Sequence, residues 1–346
     1  MITNSFVVDL RQFLWSSCIS GTVCTVLVPR RSLRGMLRQA LLQISKSSRV
    51  RHLVETAPVS REVVRRFVAG AATSDAVRAA VQITATHRLV TLDHLGEGTH
   101  DIAQARAVRD EYTSVLRRLV DAGLSDDGRC EVSIKLSAVG QAVGVDGEKV
   151  ALEHAWDVCQ AASEAGTTVT IDMEDHTTTD STLSVVRELR GDFPSVGAVL
   201  QSYLRRTEAD CKDLAGAGSR VRLCKGAYDE PESVAFVDKA EVDRSYVRCL
   251  RVLMAGQGYP MVASHDPRLV DIAGALAVQN RRSQGSYEYQ MLYGVRPVEQ
   301  QRLADQGEKM RVYVPYGDQW YAYLMRRMAE RPANAVFFLR SLATKG

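Results

Sequence analysis

Eight short apolar runs, most of them carrying β-branched or aromatic residues, recur along the chain and stop at or beside a polar side chain. They are Val90-Leu95, Val132-Ser137, Thr168-Met173, Ala198-Leu204, Val221-Cys224, Pro260-Ser264, Tyr287-Leu292 and Met310-Val314. Runs of this length and composition read as buried strands. Between them, Ala105-Leu119, Val150-Glu164, Thr182-Arg190, Glu241-Ala255 and Pro267-Leu276 repeat apolar residues at turn spacing and read as helices. Strand alternating with helix demands parallel strands joined by crossover helices. Eight such units in about 250 residues match a closed barrel. An open doubly wound sheet competes, but no G-x-G-x-x-G follows the first strand and no strand carries a nucleotide-binding fingerprint. The predicted class is α/β, a (β/α)8 TIM-like barrel with N-terminal helices. Those helices are read from Leu37, Leu41, Leu42 and Ile44, then Val63, Val64, Phe67 and Val68.

Composition narrows the function classes. The 346 residues are 45% hydrophobic and 25% charged, enough to bury a sizeable core. A net charge of +3 is too small to imply nucleic acid, and no nucleic-acid partner is expected. Basic residues do cluster early, from Arg30 to Arg66 against only Glu55 and Glu62, and read as solvated helix faces or a contact with an anionic membrane. Seven cysteines, odd in number and never spaced C-x-x-C, argue against a disulfide framework and for a reducing cytoplasm. The apolar run Phe13-Val28 is broken by serines, Gly21 and Thr22, and is shorter than a membrane span. Residues 1–35 read as a disordered extension, or as sequence ahead of a start at Met36. Residues 36–88 form a helical segment, and 89–346 the catalytic barrel.

Active sites in such barrels are built at the C-terminal ends of the strands. Those ends carry Asp93 and His94, Lys135, Asp172 with Glu174, Gln201 with Tyr203, Lys225 with Tyr228, His265, Gln290, and Tyr313 with Tyr316. Strand alternation points Lys135 inward, where a charge must be paired. It fits an ion pair to a substrate carboxylate, a Schiff-base nucleophile, or a structural pair with Asp172. Asp172-Met173-Glu174-Asp175-His176 resembles a metal site in composition, but His94 and His265 supply no second ligand motif, so no metal is expected. Arg222 to Tyr228 bring cations, a glycine that permits close backbone approach and a tyrosine platform, a combination suited to a large planar or phosphorylated cofactor. Near the C-terminus, Arg326 and Arg327 stand in an apolar helical run with Tyr323 on the same face. Glu330 lies one turn beyond Arg326, able to orient it. Adjacent guanidiniums can hold one carboxylate from two directions.

Seven of these segments together carry a family resemblance: Ser133-Ile134-Lys135-Leu136-Ser137, Ile171-Asp172-Met173-Glu174, Leu200-Gln201-Ser202-Tyr203, Arg222 to Tyr228, Ala263-Ser264-His265-Asp266, Arg311 to Gly317 and Tyr323 to Glu330. In this order they resemble the motifs of proline dehydrogenase, over roughly residues 36 to 345. The resemblance implies a distorted (β/α)8 barrel that binds FAD non-covalently, oxidises L-proline to Δ1-pyrroline-5-carboxylate and passes electrons to a membrane quinone. By the same resemblance, Arg326, Arg327 and Lys135 clamp the substrate carboxylate, Tyr313, Tyr323 and Leu292 wall the ring, and Asp172 holds the clamp in place. Arg222 faces the reactive part of the flavin. Met173, Gln201, Lys225, Gly226, Ala227, Ser264, His265 and Glu330 match cofactor-contacting positions. The implied location is cytoplasmic, peripheral at the inner face of the membrane. The chain is too short to include the aldehyde dehydrogenase of the second step, so a separate pyrroline-5-carboxylate dehydrogenase is expected. Cys224 departs from the pattern at a position often filled by an aliphatic residue.

Overall fold

Along most of the strands, one set of alternate residues is apolar and the other is largely polar. In the computed structural model, which describes residues 64–330 apart from the side chains of Ala329 and Glu330, that alternation closes a barrel. Helix α1 (Thr73–Thr84) precedes β1 (Leu89–His94), and the chain continues through α2 (Ile102–Asp121), β2 (Cys130–Lys135), α3 (Gly147–Glu164), β3 (Val169–Asp172), α4 (Thr179–Asp192) and β4 (Gly197–Gln201). It then runs through α5 (Thr207–Asp213), β5 (Arg220–Cys224), α6 (Lys239–Ala255), β6 (Tyr259–Ala263), α7 (Pro267–Gln279), β7 (Glu288–Leu292), α8 (Pro297–Asp305), β8 (Met310–Tyr316) and α9 (Trp320–Glu330). All eight strands are parallel, and β8 pairs with β1, Thr91 opposite Tyr313. The expectations for residues 1–63 and 331–346 lie outside the described residues.

Outward-facing strand residues such as Val132, Ile134 and Ile171 pack with α1 to α4 into one apolar cluster. Val221, Leu223, Val262 and Met291 pack with α6 to α8 into a second. The helices start where side chains can cap them: Asp101, Asp238 and Asp266 accept from backbone N–H groups in the first turns of α2, α6 and α7, and Pro267 opens α7. A third cluster joins Phe67 and Val68 to Leu95 and to Tyr323, Leu324 and Met328 of α9, which lays that helix beside the first strand's exit.

Six of the eight strands end elsewhere than expected: β1, β3 and β6 stop one residue short, β2 stops two short at Lys135, and β4 and β8 differ for a structural reason. β4 stops at Gln201 although the apolar run continues, because the backbone turns there: Tyr203 donates its N–H to the Lys225 carbonyl, and Leu204 bridges Ala235 in the β5–α6 connection. Tyr203 and Leu204 are apolar because they are buried beneath that connection. β8 runs two residues further than the apolar count, through Pro315 and Tyr316, both paired to β1.

Inward residues make the barrel unusual. In place of layers of branched aliphatics, the interior carries Glu131, Glu288, Arg220, Arg222 and Arg311 below the mouth, tied by ion pairs between 2.6 and 3.8 Å. Buried charges persist only when paired and hydrogen-bonded, and this column extends upward into the strand ends.

Candidate active site

Lys135 closes β2 in register with Asp172 at the end of β3. Its ammonium donates to both oxygens of Asp93, at 2.8 and 2.9 Å, and lies 3.5 Å from Asp172 Oδ2 and from the Tyr313 hydroxyl. Asp172 joins the rest. Its Oδ2 accepts from the Tyr313 hydroxyl at 2.7 Å, and its Oδ1 accepts from Ser133 Oγ and Arg222 Nη1, both at 2.7 Å. The Arg222 guanidinium also lies over the Tyr313 ring, 5.2 Å from its centre. Asp93 is thus the close partner of Lys135, and Asp172 primarily fixes Arg222 and Tyr313.

Charge states follow from these contacts. Burial alone would push the Lys135 ammonium down, but Asp93, Asp172 and Glu97 more than offset it and raise its pKa above the ordinary lysine value. Burial likewise opposes ionisation of Asp172, yet Lys135 and Arg222 hold its carboxyl below the usual range. Burial pushes Asp93 up, against the pull of Lys135. Tyr313, buried beside Asp172, is pushed well above the usual phenol value and stays protonated.

Over this cluster, α9 contributes the arginine pair. Arg326 reaches Glu97, in the loop that leaves β1, with Nη1 donating to Oε2 at 2.8 Å and Nη2 to Oε1. Glu97 acts electrostatically on Lys135 as well, so the loop acid, the strand lysine and the helix arginine share one field. The Arg326 guanidinium lies over Tyr228 at 5.5 Å, and that of Arg327 over Tyr323 at 5.3 Å. The carboxylate found on Arg326 is that of Glu97, and the Glu330 side chain lies outside the described residues. Neither Glu97 nor the pairing of Asp93 with Lys135 was assigned from sequence. The available signal was an acid between two glycines, Gly96-Glu97-Gly98, directly after a strand end.

The expected cofactor residues occupy the neighbouring arc of the mouth, the exits of β3 to β6. Met173 is buried just past β3. Gln201 donates from Nε2 to the Glu174 carbonyl at 2.6 Å, while the Glu174 carboxylate accepts from the N–H and Oγ of Ser137 at 3.0 and 2.6 Å. Lys225 is held by Asp243 at 2.6 Å and Asp266 at 3.2 Å. Gly226 has φ 110°, and a Cβ there would lie 2.2 Å from the Tyr203 ring, so only glycine lets the strand exit lie flat on that tyrosine before Ala227. Ser264 Oγ accepts from the Asp266 N–H at 3.1 Å. His265 Nε2 accepts from the N–H of Leu292 at 2.9 Å, which ties this arc to the expected substrate wall and requires Nε2 to be unprotonated.

The chain's residues 76–340 match the family model described as proline dehydrogenase. It is 37% identical over 309 residues to a proline dehydrogenase of Deinococcus radiodurans, covering 89% of this chain and 98% of that one. It is 34% identical over 310 residues to proline dehydrogenase 1 of Bacillus subtilis, covering 90% of this chain and all of the relative. Among solved structures it resembles proline utilization A of Bdellovibrio bacteriovorus inactivated by N-propargylglycine, with a TM-score of 0.71 and 25% identity over 85% of this chain and 36% of that one. Proline utilization A of Bradyrhizobium japonicum shares the fold at a TM-score of 0.65 and 23% identity, over 78% of this chain and 31% of that one. With the family model spanning most of the chain and the relatives matching end to end, the chain belongs to the proline dehydrogenase family.

Proposed function

We propose that the chain binds FAD non-covalently, oxidises L-proline to Δ1-pyrroline-5-carboxylate and delivers the electrons to a membrane quinone. The observation that carries this reading is the division of the barrel mouth. The β3–β6 exits present Gln201, Arg222, Lys225, Ser264 and His265 as one continuous polar arc. The opposite arc, β7, β8, β1 and β2, presents Leu292, Tyr313, Asp93 and Lys135, with Arg326 and Arg327 on α9. The polar arc suits a flavin, whose heteroatom edge is rich in acceptors. One feature favours the fit: the glycine exit at Gly226, where a Cβ would meet the Tyr203 ring, keeps side-chain bulk away from the loop.

In this reading Met173, Gln201, Arg222, Lys225, Gly226, Ala227, Ser264, His265 and Glu330 hold the cofactor, which when bound supplies the acceptor for two electrons. The protein's own task is positioning. Lys135, Arg326 and Arg327 take the substrate carboxylate, and the fork of Arg326 already engages one carboxylate, that of Glu97, with two nitrogens. Tyr313, Tyr323 and Leu292 pack on the ring. Asp172, kept ionised, fixes Arg222 and Tyr313 in place. The substrate ammonium gives up its proton before the carbon–nitrogen double bond forms, and a cation-lined pocket favours that loss. No helix of the described residues is long and apolar enough to cross a membrane. In this reading the protein meets its quinone peripherally, at the inner face of the membrane, from the cytoplasm. The product passes to a separate pyrroline-5-carboxylate dehydrogenase.

An absorbance spectrum of the purified protein tests this. Flavin absorption that L-proline bleaches and a soluble quinone analogue restores is the expected result. A protein that stays colourless and unchanged after FAD reconstitution refutes it.

A further inference from the structure

Arg222 is 4% exposed and is pulled from two directions. Above it, Asp172 accepts from Nη1 at 2.7 Å. Below it, Glu131 Oε1 lies 3.5 Å from Nη2, within an ion-pair contact that makes no hydrogen bond. Nη1 also donates to Ser133 Oγ at 2.9 Å, so the guanidinium spans two buried carboxylates, hydrogen-bonded on the Asp172 side and not on the Glu131 side. Its Nε donates to Gln290 Oε1 at 2.6 Å, and this contact at the other end of the guanidinium fixes the plane of the fork. An amide oxygen does so without adding a charge to an already charge-dense interior.

The amide is itself locked. Gln290 Nε2 donates to Glu288 Oε1 at 2.5 Å, and that oxygen also accepts from Arg311 Nε at 2.8 Å. Flipping the amide would set NH2 against the Arg222 N–H and a carbonyl against a carboxylate, so only one orientation satisfies both ends. Gln290 is 3% exposed and Glu288 fully buried. None of the hydrogen bonds described for Gln290 reaches Lys135, Arg326 or Arg327.

We propose that Gln290 is a positioning residue for the reaction: it holds the Arg222 guanidinium up against Asp172 and Tyr313, with Glu288 and Arg311 as the frame that holds Gln290. This rests on the proline-oxidising reading and assigns Gln290 to the rate of reaction, not to carboxylate binding.

The test uses holoenzyme carrying Gln290→Met or Gln290→Glu beside the parent, with kcat and KM for L-proline, and the Kd of a five-membered ring carboxylate that lacks the oxidisable nitrogen. Gln290→Met removes both hydrogen bonds and is expected to lower kcat by about tenfold or more, with the Kd of the ring carboxylate kept within about twofold. In Gln290→Glu the introduced carboxyl faces Glu288 on its own strand, Arg222 on β5 and Arg311 on β8, with Asp172 and Glu131 beyond Arg222. Protonated, it mimics the amide by accepting from Arg222 and donating to Glu288; ionised, it repels Glu288. The ratio of variant to parental kcat should therefore fall as pH rises, a tilt that a purely structural role does not produce and that survives as a test if Gln290→Met fails to fold.

A folded Gln290→Met enzyme with parental kcat overturns the inference, as does a Kd that weakens in step with kcat, or a Gln290→Glu profile parallel to the parent's. If proline fails to bleach the parent, the functional reading falls and takes this inference with it. An active parent with indifferent variants sinks the inference alone.

Discussion

The Lys135 ammonium lies within 2.9 Å of both Asp93 oxygens and has Asp172 at 3.5 Å, so its charge is fixed by neighbours that outweigh burial. A Schiff-base nucleophile needs a neutral amine at working pH. A lysine whose pKa is raised rather than depressed is poorly suited to that role; the structure pairs it with Asp93 and Asp172, and its charge is available to an anion at the mouth. The pH dependence follows. Lys135 keeps its charge throughout the neutral range, because loss of its proton is displaced above the ordinary lysine value. Asp172 stays ionised there, because its pKa is displaced below the ordinary carboxylate value. Deprotonation of the substrate's own ammonium is then expected to make kcat/KM for L-proline rise from about pH 6 to about pH 9. A flat steady-state profile over that interval would count against the clamp as drawn. At the helix, Arg326→Met leaves Glu97 and the incoming carboxylate without their shared partner. The expected loss in kcat/KM is roughly 3–5 kcal/mol, the scale of a buried pair broken on one side, and near-parental kinetics would remove Arg326 from the clamp.

At the scale of elements, the site depends on how strand exits and helix ends are tied down. The end of α6 is closed by a residue from another segment: Arg282 donates to the carbonyls of Leu253, Met254 and Gly256 at 2.8 to 3.0 Å, and to those of Gly258 and Ser286 at 3.1 and 3.2 Å. Most of these carbonyls lie at the helix end and in the turn after it, where few intrahelical donors remain, and a cation there also complements the helix dipole. Arg282→Ala should destabilise the fold by about 2–4 kcal/mol while leaving kcat unchanged, since Arg282 lies between α7 and β7, away from the strand exits. Urea unfolding and steady-state assays on the same preparation separate the two effects, and a kcat loss without destabilisation would contradict this assignment. Gly226→Ala is expected to act the other way. It sets a Cβ against the Tyr203 ring at a left-handed φ, which must displace the β5 exit. The measured consequence should be weaker retention of flavin on gel filtration, and a variant that keeps its full complement would mean the loop has slack.

Across the whole molecule, the barrel interior balances four carboxylates, Asp93, Glu131, Asp172 and Glu288, against four cations, Lys135, Arg220, Arg222 and Arg311. Glu131 is fully buried among them. It accepts from Arg220 at 2.6 Å and from Thr91 at 2.8 Å, with Arg222 and Arg311 further off. Burial opposes its ionisation, but Arg311, Arg220 and Arg222 overcome this and bring its pKa down to about 2. A carboxyl depressed in the folded state contributes stability that is present above its unfolded pKa and lost as pH falls through the folded value. The parent should therefore lose on the order of 3 kcal/mol between about pH 5 and about pH 2 from this group. Glu131→Gln should be less stable than the parent at neutral pH, and the gap should narrow in acid. Denaturant midpoints across that range check it, and a gap independent of pH would show that Glu131 is not the group responsible.

Much of this architecture was legible in the residues. Eight apolar runs alternating with helical periodicity require parallel strands and crossovers, and closure follows from their number, because periodicity is set by each residue's immediate neighbours. The polar residues at the strand exits were visible for the same reason, since a strand end is a local event. The partnerships inside the barrel were not. Arg326 meets Glu97 across 229 residues, Arg222 meets Gln290 across 68, and Lys135 takes Asp93 rather than Asp172 as its close partner across 42. Each pairing depends on strand register, on the joining of β8 to β1 and on the path of α9 over the mouth. None of these leaves a mark at fixed sequence spacing. The sequence determined, to within a few residues, where the strands would end and that Lys135 would point inward, and the closed barrel determined which buried charges would face one another, because pairing energy depends on distance in space and on the absence of water between the partners.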